Sequence, residues 1–234
     1  MNKEIFINEL EKLKIDVTED KLDKLDKFYK LLLEWNEKIN LTTIVSCEEV
    51  YLKHFYDSLT LIKAINLNDN LTLCDVGSGA GFPGIVLKIF FPNLKITLID
   101  SLNKRVIYLN DVIKKLNLNN IEAIHSRMED YAKENEEKFD IITARAVANI
   151  RILSEISVGA LKLEGNLVFM KANCDEELEN IENLLEKLSL DLVDVKKFKL
   201  PIENSNRSLV IFKKKKHTSR KFPRTIDKIK RNPL

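Results

Sequence analysis

Leu73-Cys-Asp-Val-Gly77-Ser-Gly79-Ala-Gly81-Phe82-Pro83-Gly84 decides the fold of this chain. A short apolar run, 71–76, enters it and reads as a buried strand; an apolar helical pattern leaves it from Ile85 onward. Glycines at alternate positions let the backbone take positive φ and come close to a bound ligand that side chains would hold away. The free N–H groups opening the next helix then point at that ligand. Twenty-three residues after Gly77, a second strand, Lys95-Ile-Thr-Leu-Ile-Asp100, ends in a carboxylate. An acceptor there meets a ribose hydroxyl, so the stretch reads as a nucleoside-cofactor site.

Outward from this motif, strand and helix alternate. The pattern predicts strands over 71–76, 95–100, 121–125, 139–144, 166–171, 191–199 and 207–213. Helices are predicted near 83–91, 103–117, 127–137, 149–162 and 175–189. Such alternation calls for a mostly parallel seven-stranded α/β sheet covered by helices on both faces. The short Pro201-Ile-Glu-Asn-Ser connection near the end can only join an antiparallel hairpin, so the sheet should finish with one antiparallel edge strand. Before the first strand, helical periodicity over 3–14 and 19–39 and a third helix from the Ser46/Glu49 capping pair to about Ile65 form an N-terminal helical appendage. Trp35 falls in the apolar stripe of the second helix and reads as core; His125 ends what reads as a buried strand and is assigned a structural role. The expected organisation is 1–66 appendage, 67–214 cofactor-binding domain and 215–234 basic tail.

Composition narrows the class. The 234 residues are 44% hydrophobic and 32% charged, as for a globular protein, and Lys88 interrupts the apolar run after the motif far short of a membrane span. The N-terminus lacks the apolar stretch of a signal peptide, so a cytoplasmic protein with no membrane partner is expected. Cys47, Cys74 and Cys174 lie far apart, which argues against disulfides or a metal site. Of 38 Lys/Arg and 36 Asp/Glu, ten bases and one acid fall in 213–234, leaving 28 against 35, or −7, in residues 1–212. An acidic body with a basic tail points to a polyanionic partner, with a solubilising terminus as the bland alternative.

The motif also satisfies GxGxxG, so a dinucleotide must be weighed. Asp75 would sit awkwardly beside a pyrophosphate, Pro83-Gly84 bends the loop where a long helix should start, and the closing hairpin is no second mononucleotide-binding half. S-adenosylmethionine carries cationic groups and no phosphate, and is favoured. The fourth strand runs into Thr143-Ala-Arg145-Ala-Val-Ala rather than the Asn/Asp-Pro-Pro-aromatic loop used for exocyclic amines. Neither Cys74, within a strand, nor Cys174, among acids, suits a nucleophile. An acceptor with its own lone pair, such as a purine ring nitrogen, needs no general base, and no catalytic acid–base residue is assigned.

Leu33-Glu-Trp-Asn-Glu-Lys-Ile-Asn-Leu-Thr42, His54-Phe-Tyr-Asp-Ser-Leu59, Asp75 to Gly84 and Thr143 to Ala148 together resemble the small-subunit ribosomal RNA methyltransferase G family, formerly glucose-inhibited division protein B. The resemblance implies a class I methyltransferase, Rossmann-like fold and methyl transfer from S-adenosylmethionine to N7 of a guanosine in 16S ribosomal RNA. The partner would be that RNA or the small ribosomal subunit particle, with no DNA, for a protein expected to be a monomer. Gly77, Ser78, Gly79 and Gly81 should form the donor loop and Asp100 the ribose acceptor. By resemblance, Phe82 borders the donor and Met128 and Glu129 hold the adenine. Arg145, at the carboxyl end of the fourth strand, suits the donor carboxylate, an RNA phosphate or an ordinary ion pair. His54, Asp57 and Ser58 share a helix face and either buttress the site or form a structural cluster. Phosphate contacts are assigned to Arg145, Arg207, Arg220, Lys221, Arg224, Lys230 and Arg231, with Lys213 to Lys216 and Lys228 as further candidates. Deleting 215–234 should then weaken RNA binding and spare the donor. An NAD-dependent oxidoreductase and a non-catalytic RNA-binding assembly factor are the competing readings.

Overall fold

The computed structural model describes all 234 residues. Helix α1 (Lys3–Lys12) starts where the Asn2 side chain accepts from the Ile5 N–H, and α2 (Glu19–Ile39) where Thr18 accepts from Lys21. Each cap satisfies one of the donors a helix start leaves free. Asn40, at φ 47°, ends α2 in the left-handed conformation that asparagine tolerates. The third helical stretch is not uniform. It runs as α3 (Cys47–Glu49), a π-helical turn (Val50–Tyr56), α4 (Asp57–Leu59) and a 3₁₀ turn (Thr60–Lys63). Sequence periodicity does not distinguish these windings, and π turns recur at functional sites.

Strands β1 (Thr72–Val76), β2 (Lys95–Asp100), β3 (Ile121–His125), β4 (Phe139–Arg145), β5 (Leu161–Lys171), β6 (Leu190–Lys199) and β7 (Asn206–Lys214) form one sheet in the order β3-β2-β1-β4-β5-β7-β6. Helices α5 (Gly84–Phe90), α6 (Asn103–Lys115), α7 (Met128–Glu134) and α8 (Ile150–Ser157) provide the crossovers. Every pairing from β3 through β5 is parallel, and the closing β6–β7 hairpin supplies the one expected antiparallel strand, β7, which inserts between β5 and the edge strand β6. β5 starts five residues earlier than its pattern predicts, because Leu161 still pairs with Phe139 before a register shift near Gly165. The predicted 175–189 helix is two, α9 (Asp175–Leu178) and α10 (Glu182–Leu188). β3 lies at the sheet edge and is only half covered, so His125 is exposed, its Nε2 beside the Ser101 carbonyl, rather than at the end of a buried strand.

Alternation along the strands sorts the core into two layers. Leu73, Ile96, Leu98, Ile141 and Val168 face a cluster that also holds Phe6, Leu25, Phe28, Tyr51 and Phe55, so the N-terminal helices share one core with α5, α6 and that face of the sheet. Cys74, Val76, Ile142, Ala144 and Phe169 face the other layer, with α7, α8 and α10. That second layer also takes in Ile229 and Leu234, both buried, from α11 (Ile226–Arg231) and the terminus beyond it; the sequence reading anticipates no helix in the basic tail. A fully buried isoleucine contributes about 2 kcal/mol, enough to hold a short terminal helix in place. No helix is long and apolar enough to cross a membrane.

Candidate functional site

The turn after β1 is built by its backbone. Gly77 and Ser78 N–H both donate to the Ile99 carbonyl at 2.8 and 3.1 Å, and Gly81 N–H donates to the Ser78 carbonyl at 2.7 Å. Gly77, Gly79 and Gly81 take φ of 67°, 54° and 90°, a region that other residues enter only at a cost. A Cβ on Gly77 would come within 2.7 Å of Val147, so the turn is closely approached by the loop that follows β4. Ser78 is buried with its hydroxyl on the Asp75 carbonyl. These positions lie at the carboxyl ends of β1 and β4, where open parallel sheets bind ligands.

Three buried carboxylates surround the turn. Asp75 accepts from Gly84 N–H through Oδ2 at 2.9 Å, while its Oδ1 has no hydrogen-bond partner. Burial pushes its carboxyl from 3.8 up to about 7, against the pull of the Gly84 N–H and the Arg145 charge. Asp100, at the end of β2, accepts from Gly79 and Leu102 N–H at 2.9 Å each, and from Arg105 at 3.5 Å. A carboxylate offers about four acceptor positions, so hydroxyls can still be received there. Glu129, at the start of α7, is buried with Oε1 unpartnered. A cavity of about 240 Å³ opens between Gly77, Met128, Glu129 and Val147, with Ile226 and Lys230 of α11 along its side.

A second cavity, about 420 Å³, is lined by Arg145 and Arg207 together with Lys53 and Lys171, and is cationic. Arg145 Nη1 donates to the Lys53 carbonyl at 2.9 Å and to Asp57 Oδ2 at 3.1 Å; Nη2 meets His54 Nδ1 at 3.2 Å. Arg207 Nε donates to the other Asp57 oxygen at 3.0 Å. One carboxylate thus serves two guanidiniums, which leaves a positive charge beside the cavity. Because a guanidinium only donates, His54 Nδ1 must accept, which assigns the remaining proton to Nε2, 3.1 Å from Thr42 Oγ1. Burial and the Arg145 charge push His54 from 6.5 down to about 3, so the ring is neutral. Phe82 stacks on it at 4.4 Å, with the Arg145 guanidinium 5.2 Å from the Phe82 centroid.

Gly77, Met128, Glu129 and Lys230 therefore meet at one cavity and Arg145 and Arg207 at the other, with Phe82 packed against Arg145 and Asp100 bracing Gly79. The π-helical turn and α4 bring His54 and Asp57 to the end of β4. That juxtaposition has no signal in the sequence beyond their shared helix face. Val147, Ala148 and Ile226 are lining residues that sequence reading passes over; the Ile226/Ile229 pair within a basic run is the one hint of the last.

Tail cations divide differently from expectation. Arg224 donates through Nε and Nη2 to both oxygens of fully buried Glu155, at 2.7 and 2.6 Å, and is an internal anchor rather than a free phosphate contact. Lys214 is fully buried against Glu137, and Lys213 and Lys215 pair with Glu164. Arg220, Lys221, Lys230 and Arg231 are exposed and make no ion pair, but Arg220, Lys221 and Arg231 line neither cavity.

The rRNA small subunit methyltransferase G family matches residues 21–210. A ribosomal RNA small subunit methyltransferase G from Desulforamulus reducens is 46% identical over 91% of this chain and 90% of its own length. One from Bacillus pumilus is 42% identical over 100% and 99%. Among solved structures, a SAM dependent methyltransferase from Aquifex aeolicus is similar at TM-score 0.51 and 22% identity, over 72% of this chain and 93% of that one. A methyltransferase from Pyrococcus furiosus gives TM-score 0.56 at 16% identity, over 83% and 99%. The structural likenesses concern the fold alone.

Proposed function

The chain belongs to the rRNA small subunit methyltransferase G family, and from that membership we propose that it transfers a methyl group from S-adenosylmethionine to N7 of a guanosine in 16S ribosomal RNA. The observation that carries this reading is a cavity that brings Gly77 of the glycine turn together with buried Met128 and Glu129, in a chain that also holds a second cavity walled by Arg145 and Arg207. The donor fits the first on its chemistry. The turn leaves Gly79 open, with only the Gly77 carbonyl within 4 Å of a Cβ built there, and Asp75 and Glu129 each hold a buried acceptor atom with no partner. A pyrophosphate beside those carboxylates would be repelled, which disfavours the NAD reading.

When bound, the donor supplies a methyl group made electrophilic by its sulfonium. The chain's residues orient and exclude water. Met128 and Glu129 would hold the nucleoside base, Asp100 its ribose, and the turn 77–82 the atoms between. Guanine N7 carries a lone pair and no proton, so the neutral, hydrogen-bonded His54 is not asked to act as a base; its role is to stack on Phe82 and to fix Arg145. Arg145 and Arg207, aligned by Asp57, would receive RNA phosphate at the second cavity, with Arg220, Lys221 and Arg231 supplying further phosphate contacts that add affinity without choosing sequence. The test is incubation of methyl-labelled donor with small-subunit particles and with naked 16S RNA, each isolated without this modification. Label in a single N7-methylguanosine is expected. Protein that binds S-adenosylhomocysteine yet transfers no label to either substrate would refute the catalytic reading in favour of a non-catalytic assembly factor.

A further inference from the structure

The basic C-terminal segment is anchored across the donor cavity. Arg224 is tied to Glu155 on α8, and its backbone N–H also donates to Glu155 Oε1 at 3.1 Å. Arg151 donates to the Leu234 carbonyl, and Ile229 and Leu234 are buried in the core layer beneath α7 and α8. Held at both ends, α11 turns Ile226 and Lys230, four residues apart and so on one helix face, toward the cavity that Gly77, Met128 and Glu129 line. Ile226 is only half-buried, and Lys230 has no hydrogen-bond or ion-pair partner, while Oε1 of Glu129, which lines the same cavity, lacks one too.

We propose that α11 is a wall of the donor site, with Ile226 a donor-binding residue that packs on the nucleoside. This rests on the donor reading above and revises the view of 215–234 as a separable RNA arm. Val147, Ile152 and Gly77 line the same cavity as Ile226, so apolar side chains from two segments are available to pack on a flat ring, the usual construction of a small-molecule site. Loss of the tail then weakens donor retention as well as RNA affinity, because one segment serves both.

The experiment is calorimetric titration of S-adenosylhomocysteine into the full-length protein and its Ile226→Asp and Ile226→Leu variants, with the melting midpoint of each free protein measured in parallel. Ile226→Asp is expected to raise the Kd at least about tenfold at a near-unchanged melting midpoint, and Ile226→Leu to stay within about threefold of the parent. An aspartate variant within about twofold of the parent overturns the proposal. If the aspartate variant fails to fold, Ile226→Ala replaces it, with a loss of at least about threefold expected and no change refuting. A parent protein that does not bind S-adenosylhomocysteine would instead sink the donor reading itself.

Discussion

Replacing Asp75 by asparagine removes a charge that the fold holds at a cost. Burial raises the folded-state pKa of this carboxyl from 3.8 to about 7, so the native protein binds its proton more tightly than the unfolded chain does. The stabilisation from that proton is complete below about pH 4 and is lost as pH rises through about 7. Carried across the whole window, a shift of about three units is on the order of 4 kcal/mol. Between about pH 5.5 and about pH 8.5, where acid denaturation does not intrude, linkage leaves about 2 kcal/mol of pH-dependent loss in the parent. The Asp75→Asn side chain would not titrate. It can still accept from the Gly84 N–H, and its amide changes stability by an offset independent of pH. Denaturant unfolding of both proteins at the two pH values should therefore show the variant gaining about 2 kcal/mol on the parent at the higher one. A gain below about 0.5 kcal/mol would show that Asp75 does not titrate between these two pH values with a raised folded-state pKa, against the burial reasoning. The proposed site puts this carboxylate close to a donor that carries a sulfonium cation, so S-adenosylmethionine affinity in the parent should rise with pH across 7 and be flat in Asp75→Asn.

Breaking the Arg224–Glu155 pair should act on stability and on the tail together. Arg224→Leu leaves Glu155 buried and unpaired and is expected to cost about 3 kcal/mol by thermal or chemical unfolding, with Arg224→Leu/Glu155→Leu recovering most of it. An equal loss in the double variant would show that the packing of the tail, rather than the stranded charge, is what matters. Because His54 is pushed from 6.5 down to about 3, its imidazole resonances should stay constant from about pH 8 to about pH 5. Its neutrality stabilises the fold above about pH 6.5 and is lost as pH falls toward 3; a midpoint near 6.5 would contradict the Arg145 contact. Gly77→Ala puts a Cβ 2.7 Å from Val147 at φ 67°, which should cost about 1–2 kcal/mol and lower S-adenosylhomocysteine affinity at least about tenfold. Parental affinity there would place the donor away from the turn.

By itself the sequence determined the seven strands, their helical crossovers, the Thr18 cap and the glycine turn, because those depend on local patterns: period-2 or period-3.6 apolarity, capping side chains and residues permitting positive φ. Asp100 was legible for the same reason, since a strand end at fixed distance from the turn is a property of the βαβ unit. Tertiary structure alone decided which polar groups distant along the chain meet. Asp57 lies 88 residues from Arg145 and 150 from Arg207 along the chain, yet binds both; no local pattern encodes that meeting. The tail shows the same limit most plainly. Its charge reads as a set of phosphate contacts, but Ile229, Leu234 and the Arg224–Glu155 pair fasten it over the cavity, because two buried apolar side chains and an ion pair on a buried carboxylate outweigh the fraying of a six-residue helix.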